Sequence, residues 1–237
     1  MANITLDGNP VNTSGSLPKT GSAAIDFKLV AKDLSTKQAT PSFKIALTLT
    51  IHEPYEIKGE YKFGKDTEDN KFRSAHHYTD QVIGDFIKFA KKQDWYKNTL
   101  IVIMSDHGHS SPKHVGPYFS PKKFKIPMLW LGGAINKQHK EIHTIASQVD
   151  FSYTLLDLLK EDNKDFIFGK NIFNTSDAQF AHYTFNKGFG TLTKNSLFLY
   201  DYVSKKSILE TGENSKKLDS LGKAITQNSY EDFLQRK

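Results

Sequence analysis

The apolar residues of this chain fall into short blocks, and the spacing within the blocks changes along its length. Phe43 to Ile51 (FKIALTLTI) is a compact β-rich run and predicts a buried strand. Thr99 to Met104 (TLIVIM) and Ile126 to Leu131 (IPMLWL) are two more such runs, the last closed by Gly132-Gly133. Between them the period lengthens. From His76 to Gln93, Tyr78, Val82, Phe86 and Phe89 recur three and four apart, with Ile83, Ile87 and Ala90 widening the face, which predicts a helix. Gly84 inside it costs about 1 kcal/mol relative to Ala and reads as a point of close packing.

Upstream, Ala23 to Leu34 has apolar positions compatible with a helix, while residues 56–71 are polar and read as a surface excursion. Downstream, Ser152 to Leu159 reads as a helix with Asp150 as its cap. Four short blocks follow at Phe180–Phe185, Gly190–Thr193, Leu197–Val203 and Ser207–Leu209, separated by turn residues, and predict an antiparallel meander. Ser215 to Leu234 closes the chain as a helix, with Leu218, Leu221, Ile225, Tyr230 and Phe233 on its apolar stripe.

Strands alternating with helices over residues 24–160 predict an α/β fold: a mostly parallel sheet flanked by helices, then the antiparallel meander and terminal helix. Residues 1–22, rich in Asn, Thr, Ser, Gly and Pro, read as a flexible arm, and residues 23–237 as one domain.

Composition narrows this picture only a little. With 38% hydrophobic and 12% aromatic residues, the chain is apolar enough to bury a core. The net charge of +6 suits an anionic partner, yet the lysines are scattered, and solvated lysines are the plainer reading. No nucleic-acid recognition motif is present, so nucleic acid is not expected as a partner. No stretch has the roughly 18 consecutive apolar residues that span a bilayer, although the parent of such a chain could be membrane-anchored. Cysteine is absent, which excludes disulfides, thiolate metal sites and cysteine nucleophiles among these residues.

The chemistry-bearing residues sit where strands end, which is where open α/β sheets bind ligands. The first run leads into His52-Glu53-Pro54-Tyr55, the second into Ser105-Asp106-His107-Gly108-His109. An Asp oxygen and a His nitrogen are good ligands for zinc or manganese, and Gly108 permits the turn that lets neighbours converge on one ion. Taken alone, D-H-G is common and also reads as a capping Asp beside a surface His. The preceding strand favours chemistry. His109 and His114 could add a ligand or a phosphate contact. His77, three residues before Asp80, reads as structural.

Several segments, in order, resemble one family. "LTLTIHEPYEI", "HHYTDQVIGDFIKFAKKQDWYKNTLIVIMSDHGH", "KIPMLWLGGAI" and "SQVDFSYTLLDLL" resemble successive parts of the alkaline phosphatase/sulfatase superfamily, in its lipoteichoic-acid-synthase-like, phosphoglycerol transferase branch. The likeness covers roughly residues 24–185 and corresponds to the C-terminal part of the catalytic domain.

The resemblance implies a metal-dependent transferase or hydrolase of phosphoryl, phosphoglycerol or sulfuryl esters. Asp106 and His107 would be ligands of a divalent metal, manganese first, with zinc or magnesium as alternatives. His52 would contact the substrate's phosphate. The partners implied are phosphorylated or sulfated envelope lipids or glycans, outside the cytoplasmic membrane. The branch uses a threonine nucleophile that lies well before the His-Glu-Pro loop. Thr13, Ser14, Ser16 and Thr20 are hydroxyls on that side, but none follows a strand, so no nucleophile is assigned and the domain is expected to be partial. The cysteine-derived formylglycine of many sulfatases is excluded here. A non-catalytic module binding anionic envelope glycans or lipid headgroups is the alternative.

Overall fold

The structure is a computed structural model, and it describes residues 43–109, 116–135, 141–174 and 179–236, with two short strands nearer the N-terminus. Those strands, β1 (Thr5–Leu6) and β2 (Asn9–Pro10), pair antiparallel. The expected helix at 23–34 lies outside the described residues. The chain divides into two compact units, Met1–Gln93 and Asp94–Lys237.

In the first unit the dominant element is α1 (Glu68–Ala90). It begins eight residues before the position that its apolar spacing predicts. Thr67 explains the early start: its hydroxyl accepts from the Asn70 N–H at 3.1 Å, and Glu68 and Asp69 set negative charge at the positive end of the helix dipole. The face that α1 buries is small rather than bulky, made of Ser74, Ala75, Thr79 and Ala90. Val82 and Phe89, placed on the core face by periodicity, are exposed. Gly84 does not mark close packing, because a Cβ there would meet open space.

Phe43 to Leu49 forms no strand among the described residues, and Phe43, Ile45, Leu47 and Leu49 are all exposed. A β-rich run becomes a strand only when neighbours accept its backbone hydrogen bonds and cover its side chains. No described segment does so here.

The second unit opens with a 3₁₀ turn at Asp94–Asn98 and β3 (Ile101–Met104). β3 pairs with β4 (Met128–Leu131) in antiparallel register, Ile101 opposite Leu131 and Met104 opposite Met128. The expected parallel sheet is therefore not seen: every strand pair among the described residues is antiparallel. Gly132 closes the ribbon at φ 112°, and a Cβ there would lie 2.0 Å from the Thr99 carbonyl oxygen.

Next comes α2 (Asp150–Leu159). Asp150 does not cap this helix as expected. It is the first helical residue, 1% exposed, and its carboxylate accepts from the Ser147 N–H at 2.7 Å, the Lys170 N–H at 3.0 Å and Lys170 Nζ at 2.6 Å. Lys170 Nζ also donates to the Phe180 carbonyl at 2.9 Å. A buried ion pair is tolerable when its remaining hydrogen bonds are filled in this way.

The meander forms as its pattern predicts. β5 (Ala181–Phe185), β6 (Gly188–Leu192), β7 (Leu197–Asp201) and β8 (Lys206–Thr211) make one four-stranded antiparallel sheet in sequence order. The closing helix α3 (Ser215–Gln235) packs on β6 and β7. Phe189, Phe198 and Leu218 form the core there, with Tyr200 and Leu221 against it. Each fully buried large side chain contributes about 1.5–3 kcal/mol by leaving water. The second half of the α3 stripe does not follow: Tyr230 and Phe233 are exposed.

Candidate functional site

The D-H-G loop leaves the end of β3, as expected. Ser105 N–H still bonds the Pro127 carbonyl at 3.5 Å, so the ribbon carries on one residue past Met104. Beyond it the chain turns, and Asp106 and His107 are both exposed. The Asp106 Oδ1 accepts from the His107 N–H at 2.9 Å, which leaves Oδ2 free to face the ring. His107 Nδ1 lies 2.7 Å from the Gly108 carbonyl. A carbonyl can only accept, so Nδ1 donates, and in the neutral ring Nε2 presents its lone pair. That Nε2 lies 3.6 Å from Asp106 Oδ2.

Two electron-rich atoms thus face each other across 3.6 Å. Two ligands bonded at about 2.1 Å to one tetrahedral ion stand roughly 3.4 Å apart, so the pair fits a shared divalent cation. The backbone hydrogen bond to Nδ1 is the outer contact that metal-binding histidines generally have. Among the described residues, no group of three or more metal-binding side chains forms, so the two-residue set is what these residues offer.

Hydrogen bonds and close packing hold the loop. Ser105 Oγ donates to the His107 carbonyl at 2.8 Å. Gln148 Nε2 donates to the Ser105 and Asp106 carbonyls at 3.1 and 2.8 Å. Gly108 sits against the segment before β4, where an added Cβ would fall 1.7 Å from the Lys123 carbonyl oxygen. Ser147, beside Gln148, accepts from the His182 N–H of β5 at 2.8 Å, tying the loop's support to the meander. Gln148 lies 42 residues from Asp106, and only its position just before a helix could have flagged it.

His52 belongs to the first unit. Its Nδ1 lies 2.9 Å from the Glu53 carbonyl, so Nε2 is again the free nitrogen, and the ring is exposed. The following Glu53–Pro54 peptide is cis, and Tyr55 is 2% exposed, its ring edge-on to Phe72 of α1 at 5.6 Å. Tyr55 donates to Glu53 Oε1 at 3.3 Å; burial, and then the Glu53 charge, push its hydroxyl up to about 12. An anchored Tyr55 fixes the loop from which His52 projects.

The other histidines separate. His77 packs edge-on to Phe63 at 6.1 Å, consistent with a structural part, and no ion pair joins it to Asp80 among the described residues. His109 is half-buried. His114 lies outside the described residues, as do Thr13, Ser14, Ser16 and Thr20. His182 has no counterpart in the sequence reading. It is wedged between Thr191 Oγ1 at 3.0 Å and Thr226 Oγ1 at 3.5 Å, its ring against Phe189, and burial lowers its pKa to about 4.

The sulfatase family profile matches residues 7–161. The chain belongs to the sulfatase family. It is 27% identical over 195 residues to the lipoteichoic acid synthase-like protein YvgJ of Bacillus subtilis, covering 73% of this chain and 30% of that protein. It is 29% identical over 206 residues to the lipoteichoic acid synthase of Staphylococcus aureus, covering 76% of this chain and 29% of that one. The chain thus spans under a third of the length of these curated relatives. Among solved structures it is similar to a protein of the alkaline phosphatase superfamily from Vibrio parahaemolyticus, with a TM-score of 0.56 and 26% identity, covering 76% of this chain and 48% of that one. The lipoteichoic acid synthase LtaP of Listeria monocytogenes shares the fold, with a TM-score of 0.60 and 20% identity over 78% of this chain and 52% of that chain. No helix among the described residues is long and apolar enough to cross a membrane.

Proposed function

We propose that this sulfatase-family chain serves a metal-dependent enzyme of the cell envelope that transfers or hydrolyses phosphoglycerol or related phosphoryl esters outside the cytoplasmic membrane. The observation that carries the reading is the pair of lone-pair-bearing atoms, Asp106 Oδ2 and His107 Nε2, 3.6 Å apart at the end of β3. Asp106 and His107 hold a divalent metal, manganese by preference, and His52 contacts the phosphate of an envelope lipid or glycan substrate. The bound ion supplies Lewis-acid charge that lowers the pKa of the attacking hydroxyl and offsets charge on the phosphoryl oxygens.

The chain's own residues orient these groups. Gln148 and Ser105 hold the loop's carbonyls, and the Gly108 carbonyl keeps the His107 proton on Nδ1 so that Nε2 remains a ligand. The nucleophile is assigned to none of the described residues. In this reading it comes, with the remaining metal ligands, from another part of the catalytic domain, where Phe43–Leu49 also finds its neighbours in a parallel sheet. The partial coverage of the relatives supports that view. It also favours a second reading, a non-catalytic module that binds anionic envelope glycans or lipid headgroups.

Manganese and zinc titrated into the purified chain and its Asp106→Ala variant, with p-nitrophenyl phosphate and a phosphodiester assayed in parallel, test both readings. Metal binding that depends on Asp106 supports the proposal. Metal binding equal in the two proteins overturns it. Saturable binding of glycerol phosphate without turnover in the whole parent protein would establish the module instead.

A further inference from the structure

The helix α3 is longer than the sheet it covers. Its 21 residues rise roughly 31 Å, whereas the five residues of β6 or β7 span roughly 17 Å. The helix starts at the β6–β7 turn, where the Asn214 N–H donates to Ser196 Oγ at 3.3 Å. It crosses the sheet at Gly222, where an added Cβ would meet Phe189 and Thr191, and at Thr226, whose hydroxyl lies 3.5 Å from His182 Nε2. Its last turns run past the strands. Tyr230 and Phe233 continue the apolar stripe there, and with Leu234 they are 65%, 73% and 67% exposed.

Two hairpin tips share this end. In a meander taken in sequence order the β5–β6 and β7–β8 turns lie together, and the Tyr202 N–H donates to the Lys187 carbonyl between them at 2.7 Å. Tyr202 also hydrogen-bonds Thr226 and lies near Tyr230, which ties the overhanging helix to the tips. Beside it Val203 is exposed. Each tip sets a lysine where the backbone turns left-handed, Lys187 at φ 69° and Lys205 at φ 55°. Glycine or asparagine takes such positions at least cost, so a lysine in both points to a use for the charge. Lys187, Lys205 and Lys206 are exposed and enter no ion pair among the described residues. The acids at this end are engaged. Asp201 lies near Lys187 but accepts from the Ser204 N–H at 2.6 Å, Glu231 accepts from Gln227 at 2.8 Å, and Asp232 pairs with Arg236 at 2.7 Å.

We infer that this end of the meander docks on an anionic phospholipid surface, with Tyr202, Val203, Tyr230, Phe233 and Leu234 entering the interface and Lys187, Lys205 and Lys206 against the headgroups. A phospholipid surface offers an apolar bed and negative charge together, the complement of what this end presents. A second copy suits it less, because a twofold contact brings the same lysines to both sides of one interface. The contact needs neither Asp106 nor a bound metal, so its test is separate from that of the proposed site.

Cosedimentation of the full chain with vesicles of phosphatidylcholine alone, and of phosphatidylcholine mixed with phosphatidylglycerol, provides the test. Binding should be about tenfold tighter on the mixed vesicles and should weaken with salt. The K187Q/K205Q variant should lose about tenfold in affinity for the mixed vesicles, and F233S/L234S about tenfold as well. The K216Q/K217Q variant, which removes two exposed lysines at the other end of α3, should bind as the unaltered chain does. All these positions are exposed, so each variant should keep the melting temperature of the unaltered chain. Binding to mixed vesicles that survives F233S/L234S, or that falls as far in K216Q/K217Q as in K187Q/K205Q, overturns the docking surface. So does an unaltered chain that stays off the vesicles, or one that instead self-associates through Phe233 and Leu234.

Discussion

The C-terminal meander and the Phe43–Leu49 run are both rich in large apolar residues, yet only the first buries a core of them. In the meander each strand meets its neighbour through a short turn, so Phe189 is 1% exposed, Phe198 3% and Leu199 1%. In the run, Phe43, Ile45 and Leu47 are 64%, 68% and 68% exposed. The difference lies in where the partners come from. Hairpin neighbours arrive within a few residues at small loop-closure cost, whereas a parallel sheet needs neighbours delivered by long crossovers. An apolar run without such neighbours has β propensity and no strand.

The largest effect that probes this comparison is expected at the centre of the meander. Phe189→Ala should destabilise the folded chain by about 3–5 kcal/mol, measured by denaturant unfolding, because Leu218, Phe198 and Tyr200 close around that ring. A loss below about 1 kcal/mol would mean that Phe189 is not at the centre of the meander's core.

A smaller effect should follow pH. His182 sits against Phe189, Thr191 and Thr226 with its pKa lowered from 6.5 to about 4, chiefly by burial. Between those values the unfolded chain takes up a proton that the folded chain refuses, so stability is full above pH 6.5 and falls as pH drops toward 4. His182→Gln should remove this component, flattening the melting temperature across that window. An identical acid slope in the variant would assign the loss to other groups.

The smallest effect belongs to the exposed run. Leu47→Ala should change the stability of this chain by less than about 0.5 kcal/mol. A cost of several kcal/mol would show that Leu47 is covered in solution and would erase the contrast with Phe189.

The antiparallel order of β5 to β8 and the presence of α3 are legible because alternation and turn residues there encode pairing between sequence neighbours, although the strand ends shift by up to two residues. The D-H-G loop was legible for a related reason: an apolar strand running into Asp106, His107 and Gly108 is a local pattern. Asp150 reads as a helix cap by position, because nothing nearby in sequence announces that Lys170, 20 residues on, fills its carboxylate. Gln148 and His182 were invisible for the same reason.

The sequence by itself determined which segments are apolar, where the periods change, and that an Asp and a His follow a strand. Only the tertiary structure decided that β3 pairs with β4 antiparallel, and that Gln148 and Lys123 clasp the loop. It also decided that His107 turns its free nitrogen toward Asp106. Pattern fixes what a segment prefers, while long-range hydrogen bonds and packing select which partner satisfies that preference.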